Sequence, residues 1–351
     1  MTRRRYDLAC LVDSYRDGWK LGDFLVHRFR YHPPATWTAR LREGAVRVNG
    51  DPGAADRVVR RGDRVEYSLW HEEPDVDFRC DVLYEDAHVL AVAKSGNLPV
   101  HAGGKYIRNT LIAELRATRG AELRLAHRLD RETSGIVLLA KTRAAARVLE
   151  REFHARRVEK EYVAIVRGEF PPAIDVDAPI GRLEAPSVSA FRGVDPLRGK
   201  PARTRFVRLA LGPAADAPPA TPRPVSLVAA RPESGRTNQI RLHARHAGHP
   251  VLGDKIYGVP EEVARAFVAG GETEGVLAAA GAPRQLLHCR RLVIRHPATG
   301  APLALEAPAP ADFARAWGGS LPPFGVSWHR TGPEPAREPP VPGLPSEGRS
   351  P

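Results

Sequence analysis

The sequence predicts an α+β protein in two unequal parts: a small basic α/β module, then a larger body built on a sheet with helices against it. Three observations carry this. Apolar residues recur at helical spacing in some segments, as Leu21, Phe24, Leu25 and Phe29 do, and elsewhere form short aliphatic runs such as Ile136-Val137-Leu138-Leu139-Ala140. A proline- and acid-bearing stretch, His71 to Asp77, interrupts the pattern. At 351 residues the chain is long enough for about two domains, each with a core.

Residues 1–16 read as an N-terminal extension and 17–70 as the module. Its first helix carries Leu21 to Phe29, and a second, around Trp37 to Glu43, stops at Gly44. A strand over Ala45 to Val48 is turned by Asn49-Gly50-Asp51, a strong hairpin signal, and Gly62-Asp63 marks a turn before a strand over Arg64 to Leu69. Arg28, Arg40, Arg42 and Arg47 decorate this unit and are its candidate RNA contacts. The spacing of Gly44-Ala-Val-Arg-Val-Asn-Gly50 and Arg61-Gly-Asp-Arg-Val65 resembles the small RNA-binding domain of ribosomal small-subunit protein four.

Residues 71–79 are a linker, and the body spans 80–310. Asp81 to Asp86 and His88 to Lys94 read as two strands around a turn. Helical periodicity returns over Thr110 to Arg116 and over Ala144 to Phe153, and Glu161 to Val166 reads as a buried strand. Pro213 to Pro224 is a peripheral loop, and 311–351 a tail, disordered from about 330, where proline, glycine and charge dominate.

The 53 lysines and arginines against 41 acidic residues give a net charge of +12, which points to a polyanionic partner, nucleic acid before membrane. Cys10, Cys80 and Cys289 are far apart, without metal-ligand spacing. No apolar run reaches membrane-spanning length, and no signal-peptide core follows Arg3-Arg4-Arg5. A cytoplasmic protein with no membrane association is expected.

The chemistry concentrates in His127-Arg-Leu-Asp-Arg-Glu-Thr-Ser-Gly135. One carboxylate, Asp130, stands between two arginines, and adjacent cations favour the ionised form of a carboxylate. Taken alone the segment favours a surface ion pair capping a turn. Three further segments decide between the two: Lys160-Glu161-Tyr162 at the start of a strand, Gly235-Arg-Thr-Asn-Gln-Ile-Arg241 where a turn feeds a helix, and Gly248-His-Pro-Val-Leu-Gly-Asp254. In this order the four segments resemble the RluA family of RNA pseudouridine synthases, over roughly residues 80–310. Glu85-Asp86, Leu98-Pro99-Val100-His101 and Gly199-Lys200-Pro201-Ala202-Arg203-Thr204 also match. Two positions depart: Asn238 stands where the family usually has histidine, and Lys94-Ser95-Gly96-Asn97 where it commonly reads Lys-Pro-x-Gly.

The resemblance implies the pseudouridine synthase fold, with a mixed, mostly antiparallel sheet. It casts Asp130 as the catalytic carboxylate, Tyr162 as the ring packed on the target base and a candidate for the later proton step, Arg241 as the partner of Asp130, and Leu252 as a wall of the base pocket. Arg128, Thr133, His127 and His101 are the remaining candidate substrate contacts. The reaction converts uridine to pseudouridine: the glycosidic carbon–nitrogen bond breaks, the uracil turns and rejoins through carbon 5. A base inside a helix is out of reach, so it must be flipped out and stacked on something flat. Asp130 then acts covalently on sugar or base, or removes a sugar proton; the sequence leaves both routes open. No cofactor is expected, and no metal, since His243, His246 and His249 lack cysteine or carboxylate partners at ligand spacing. A monomer acting on structured RNA is expected, large-subunit ribosomal RNA first and transfer RNA second. The rival readings are a non-catalytic RNA-binding assembly factor on the same fold and a nucleoside glycosidase, which would release free uracil.

Overall fold

The structure, a computed structural model, describes residues 3–29, 32–182, 191–212, 224–326 and 328. The N-terminal part consists of β1 (Arg3–Leu11), α1 (Leu21–Arg28), α2 (Pro34–Arg42), β2 (Val46–Val48), β3 (Asp51–Pro52) and β4 (Arg64–Glu72). The strands form an antiparallel sheet in the order β1-β4-β2-β3. Tyr6, Leu21, Phe24, Leu25, Trp37, Val46, Val48, Val65 and Tyr67 make its core. Asn49 turns β2 into β3 with φ at 55°, and its side chain bonds Asp63 Oδ1 and the Arg64 amide, each at 2.8 Å.

Residues 3–11 are not an extension: they pair along the whole of β4, from Arg3↔Glu72 to Leu11↔Arg64. The arginine-rich start hides this strand, because its partner lies some sixty residues downstream and Tyr6 is its one fully buried ring. The linker is also structured. Glu73, 3% exposed, accepts from the amides of Ile107 and Asn109 at 2.8 Å and from Arg108 at 3.0 Å. Burial and the bond to Glu73 push the Tyr6 phenol up to about 12.

The body contains β5 (Cys80–Glu85), β6 (Val89–Lys94), α3 (Leu111–Arg119), β7 (Arg124–Leu125), β8 (Ser134–Ala140), α4 (Arg143–His154), β9 (Glu159–Arg167), β10 (Ala173–Asp177), β11 (Ile180–Arg182), β12 (Arg192–Val194), β13 (Arg203–Gly212), β14 (Val225–Pro232), α5 (Gln239–His246), α6 (Glu261–Gly270), α7 (Glu274–Ala280), β15 (Leu287–Arg295), β16 (Pro302–Glu306) and α8 (Ala311–Trp317). The central sheet runs β10-β13-β14-β9-β15-β8-β6-β5, with β16 on β15 and β7 on β8. Among the described residues, β15 with β8 is the parallel pair of this sheet and the other pairs are antiparallel. Strand alternation splits the interior into two faces. Tyr162, Ala164 and Val166 of β9 pack with Leu149 of α4 and Ile240 of α5, whereas Val163 and Ile165 pack on the opposite side with Phe313 of α8.

The body does not end at 310. Phe313 is fully buried, and Leu321 and Phe324 pack against the same cluster. Residues 213–223 and 329–351, where a loop and a disordered tail were expected, lie outside the described residues.

Candidate active site

Asp130 lies in the loop that leads from β7 into β8. Its carbonyl accepts from the Thr133 amide at 3.2 Å, and the loop then enters the sheet at Ser134-Gly135. Glycine is required there: Gly135 has φ at 110°, and a Cβ would meet the Cys289 carbonyl oxygen of β15 at 2.2 Å. Behind the loop, buried donors hold its backbone. Lys94 Nζ donates to the Arg131 carbonyl at 3.0 Å and Arg284 Nη1 to the Glu132 carbonyl at 2.8 Å. Burial, and then the Arg284 charge, push the Lys94 ammonium down to about 7. Glu132 accepts from Lys255 Nζ at 2.9 Å and Arg131 Nη2 at 2.7 Å. Thr133 Oγ1 accepts from Gln285 Nε2 at 2.7 Å. These contacts anchor the loop's backbone from its buried side.

Arg241 sits in the first turn of α5, and its guanidinium has three anchors. Nη1 donates to Asp130 Oδ2 at 2.8 Å and to Asn238 Oδ1 at 3.0 Å; Nε and Nη2 grip Asp254 Oδ2 and Oδ1 at 2.6 and 2.7 Å. Its Cζ lies 4.9 Å over the Tyr257 ring. Asp254 is fully buried and also accepts from the amides of Ile256 and Tyr257 at 2.9 Å. Burial alone would raise its pKa, but the Arg241 charge and these donors hold the carboxyl below the usual carboxylate range. The pair with Asp254 likewise outweighs burial and holds Arg241 above the usual arginine range. Among the described residues, Asp130 receives only the one bond to Oδ2, which leaves Oδ1 to the cleft.

Tyr162 opens β9 onto the same cleft, opposite Cys289 in register. A cavity of about 110 Å³ is lined by Asp130, Tyr162, Arg241, Arg128, Thr133 and Ile240, among others. Burial, then the neighbouring Cys289 thiol, hold the Tyr162 phenol well above its ordinary pKa. Its ring is thus neutral at physiological pH, and any proton step it takes part in starts from a phenol. Asn238 begins α5 in the left-handed conformation, φ 59°, and its Nδ2 donates to the Tyr257 hydroxyl at 2.9 Å, so it braces both Arg241 and the ring beneath it. Thr204 braces the same helix through Gln239 at 3.0 Å and His243 at 2.9 Å.

Other expected contacts lie elsewhere. Leu252 packs on the far face of the sheet with Val163, Ile165 and Phe313, not in the Asp130 cleft. The loop carrying it bonds to β9 (Leu252 amide to Ile165 carbonyl, 2.9 Å), and its side chain joins Val163 and Ile165 on the far face of that strand. Ile240, Leu129 and Leu287 form the apolar wall instead. Leu252→Ala is accordingly expected to cost about 2–5 kcal/mol in denaturant unfolding, while the folded variant keeps the wild-type rate of tritium release from carbon-5-labelled RNA. His127 is structural: Nε2 accepts from the Leu138 amide at 3.1 Å, the ring stacks on Phe153 at 5.0 Å, and burial pushes it down to about 3. Exposed His101 meets Arg128 at the cleft mouth, Nε2 to Nη1 2.5 Å.

In the N-terminal part, Arg40 and Arg47 line a groove of about 770 Å³ with Arg5, Arg64 and the exposed Trp70; Arg28 and Arg42 lie outside it. Arg28 is exposed beside Phe29, 5.4 Å from the ring.

Sequence reasoning gave no role to Asp254, Glu132, Lys255 or Lys94. Their signal was present in Gly253-Asp254-Lys255 and Asp130-Arg131-Glu132, but which charge meets which is decided by the fold. Gly253 shows the constraint: φ is 82°, and a Cβ would lie 1.8 Å from the Arg284 carbonyl oxygen. Ser95, at a departure from the family pattern, uses the amide a proline lacks to bond the Arg79 carbonyl at 3.1 Å. Among the described residues no three His, Cys, Asp or Glu side chains gather as a metal site, and no helix is long and apolar enough to cross a membrane.

Known proteins resemble this chain in sequence and in fold. The profile of a family described as RNA pseudouridylate synthase matches residues 88–246. Ribosomal large subunit pseudouridine synthase C of Vibrio vulnificus is 33% identical over 313 residues, covering 85% of this chain and 91% of that one. The mitochondrial tRNA pseudouridine(32) synthase of Saccharomyces cerevisiae is 32% identical over 265 residues, covering 75% of this chain and 55% of that one. Among solved structures, human RNA pseudouridylate synthase domain containing 1 superposes with a TM-score of 0.53 at 28% identity, over 68% of this chain and 86% of that one.

Proposed function

Because this chain belongs to the RNA pseudouridylate synthase family and is an isomerase acting on RNA, we propose that it isomerises a uridine of large-subunit ribosomal RNA at the Asp130 cleft. One observation carries the site: a carboxylate with one oxygen fixed by Arg241 and the other open faces a neutral aromatic ring in a single cleft. The target nucleotide leaves its helix and its base packs on Tyr162. Asp130 then attacks the sugar carbon of the glycosidic bond and displaces the uracil, adds to the base so that this bond cleaves, or takes a proton from the sugar so that the bond breaks and the base departs. The uracil rejoins through carbon 5, which frees Asp130 and releases the carbon-5 proton. Arg241 keeps the carboxylate in one orientation. The wall of Ile240, Leu129 and Leu287 excludes water, which would otherwise hydrolyse the detached intermediate.

The ribosomal substrate is favoured because relatives named for it align over about nine tenths of their length. The yeast relative named for transfer RNA supports the second reading. The experiment incubates the protein with a large-subunit ribosomal RNA transcript and, separately, with bulk transfer RNA, and maps pseudouridine in each. Product only in transfer RNA overturns the proposal, and free uracil overturns the isomerase chemistry itself.

The N-terminal part, residues 3–72, is taken as an RNA-binding module for the same substrate. Arg40→Ala with Arg47→Ala should weaken RNA binding and lower the slope of log affinity against log salt by about 1 for each phosphate contact removed. Fluorescence anisotropy over a salt series reads this directly.

A further inference from the structure

The connection between β1 and α1 presents an exposed tyrosine ring beside a tryptophan that only partly joins the module's core. Tyr15, in a short helical turn over Ser14–Arg16, is 69% exposed. Its ring lies 5.7 Å from Trp19 and 6.1 Å from His27, and Trp19 meets His27 edge to face at 5.0 Å. Trp19 packs only partly on the core. The Arg16 guanidinium lies against the Tyr15 ring, Cζ to centroid 5.5 Å. It is fixed there by an ion pair with Asp13 and by Nε and Nη2 contacts of 3.3 Å to His27 Nδ1.

Residues 57–61 run beside this cluster. The Val59 amide bonds the Trp19 carbonyl and the Gly18 amide bonds the Val59 carbonyl, both at 2.9 Å. Arg60 reaches over Gly18, and the Arg61 amide occupies Asp17 Oδ1 at 2.9 Å. The nearby carboxylates are already engaged, Asp13 by Arg16, Asp17 by the Arg61 amide and Asp63 by the Arg60 amide, while the Arg60 and Arg61 side chains add positive charge beside the rings.

We infer that Tyr15, Trp19, His27 and Arg16 form a stacking platform for unpaired nucleotides of the RNA substrate. Every base has a flat face, so an exposed ring backed by a fixed guanidinium accepts bases without reading their sequence. The flanking arginines suit the phosphates. This role depends on the module binding RNA, as proposed above. It is spatially separate from the Arg40 and Arg47 groove, with which the four residues share no lining position.

The test uses the full chain and two RNA probes: a hairpin with a single-stranded adenosine tail, and the same hairpin with a blunt end. Affinity is read by fluorescence anisotropy. Tyr15→Ala is expected to weaken binding of the tailed hairpin about tenfold and leave the blunt hairpin unchanged, while Tyr15→Phe binds both as wild type does. Because the side chain is mostly exposed, thermal unfolding of Tyr15→Ala should match wild type. Unchanged affinity of Tyr15→Ala for the tailed hairpin overturns the platform and leaves the patch to a protein partner. The Arg40→Ala, Arg47→Ala double variant separates the two readings. If it weakens both hairpins while Tyr15→Ala weakens neither, the platform alone fails. If it weakens neither, the module's RNA binding fails as well.

Discussion

Asp130→Asn is expected to abolish pseudouridine formation, lowering turnover by roughly 10⁴-fold or more, as loss of a nucleophile or essential base does. The amide has the shape of the carboxylate and can still accept from Arg241 Nη1, but it carries no charge to attack with and cannot take up a proton. Folding should survive. The Asp130 side chain is 34% exposed, and Arg241 keeps its two bonds to Asp254. RNA affinity should therefore stay near wild type, which separates loss of chemistry from loss of binding. Asp130→Glu keeps the charge but moves it by about one methylene, and displacement on that scale costs on the order of 10² in rate. The assay is tritium release from carbon-5-labelled uridine RNA, run beside anisotropy on the same preparations. Equal release from wild type and Asp130→Asn would remove Asp130 from the reaction.

The second large effect falls on Asp254, which never faces the substrate. Asp254→Asn leaves the Arg241 guanidinium buried without its main counter-charge, and breaking such a pair costs about 3–5 kcal/mol. The asparagine keeps an oxygen for the Ile256 and Tyr257 amides, but its NH2 group then meets Arg241 Nε, another donor, so the loss combines the charge with one hydrogen bond. Activity should fall too, because Arg241 is then held only by Asp130 and Asn238. The pH dependence has a definite sign. The Asp254 pKa is lowered in the folded protein relative to an unfolded value near 3.9, so the carboxylate's contribution is complete above that value and disappears as pH falls through the folded one. Denaturant unfolding should show a constant gap between wild type and variant from about pH 5 to 8, closing below pH 4. Adding Arg241→Met to Asp254→Asn should restore part of the stability and none of the activity. A gap that persists unchanged at acid pH would show that the lost stability is not electrostatic.

Much of this molecule is legible along the chain. The helices at Leu21–Arg28, Leu111–Arg119 and Arg143–His154 follow from apolar spacing, with Thr110 and Thr142 as side-chain caps. The hairpin at Asn49-Gly50 follows from its turn chemistry. These are local signals, set by residues within a few positions of one another. The strand at Arg3–Leu11 and the helix at Ala311–Trp317 were not legible, because each is stabilised by a distant partner: β4 in one case, and Val163 and Ile165 in the other.

The site divides in the same way. Asp130, Tyr162 and Arg241 stand in motifs far apart along the chain, and the fold brings them to one cleft. Leu252 and His127 look equally eligible in sequence, yet one faces the opposite side of the sheet and the other staples a strand to a helix. Both lie in loops, where the side chain's direction is set by the distant elements the loop packs on and not by local periodicity. Tertiary structure likewise decided that the cation beside Asp130 is itself held by a buried carboxylate 13 residues further on, because a buried charge persists only where the fold supplies its partner.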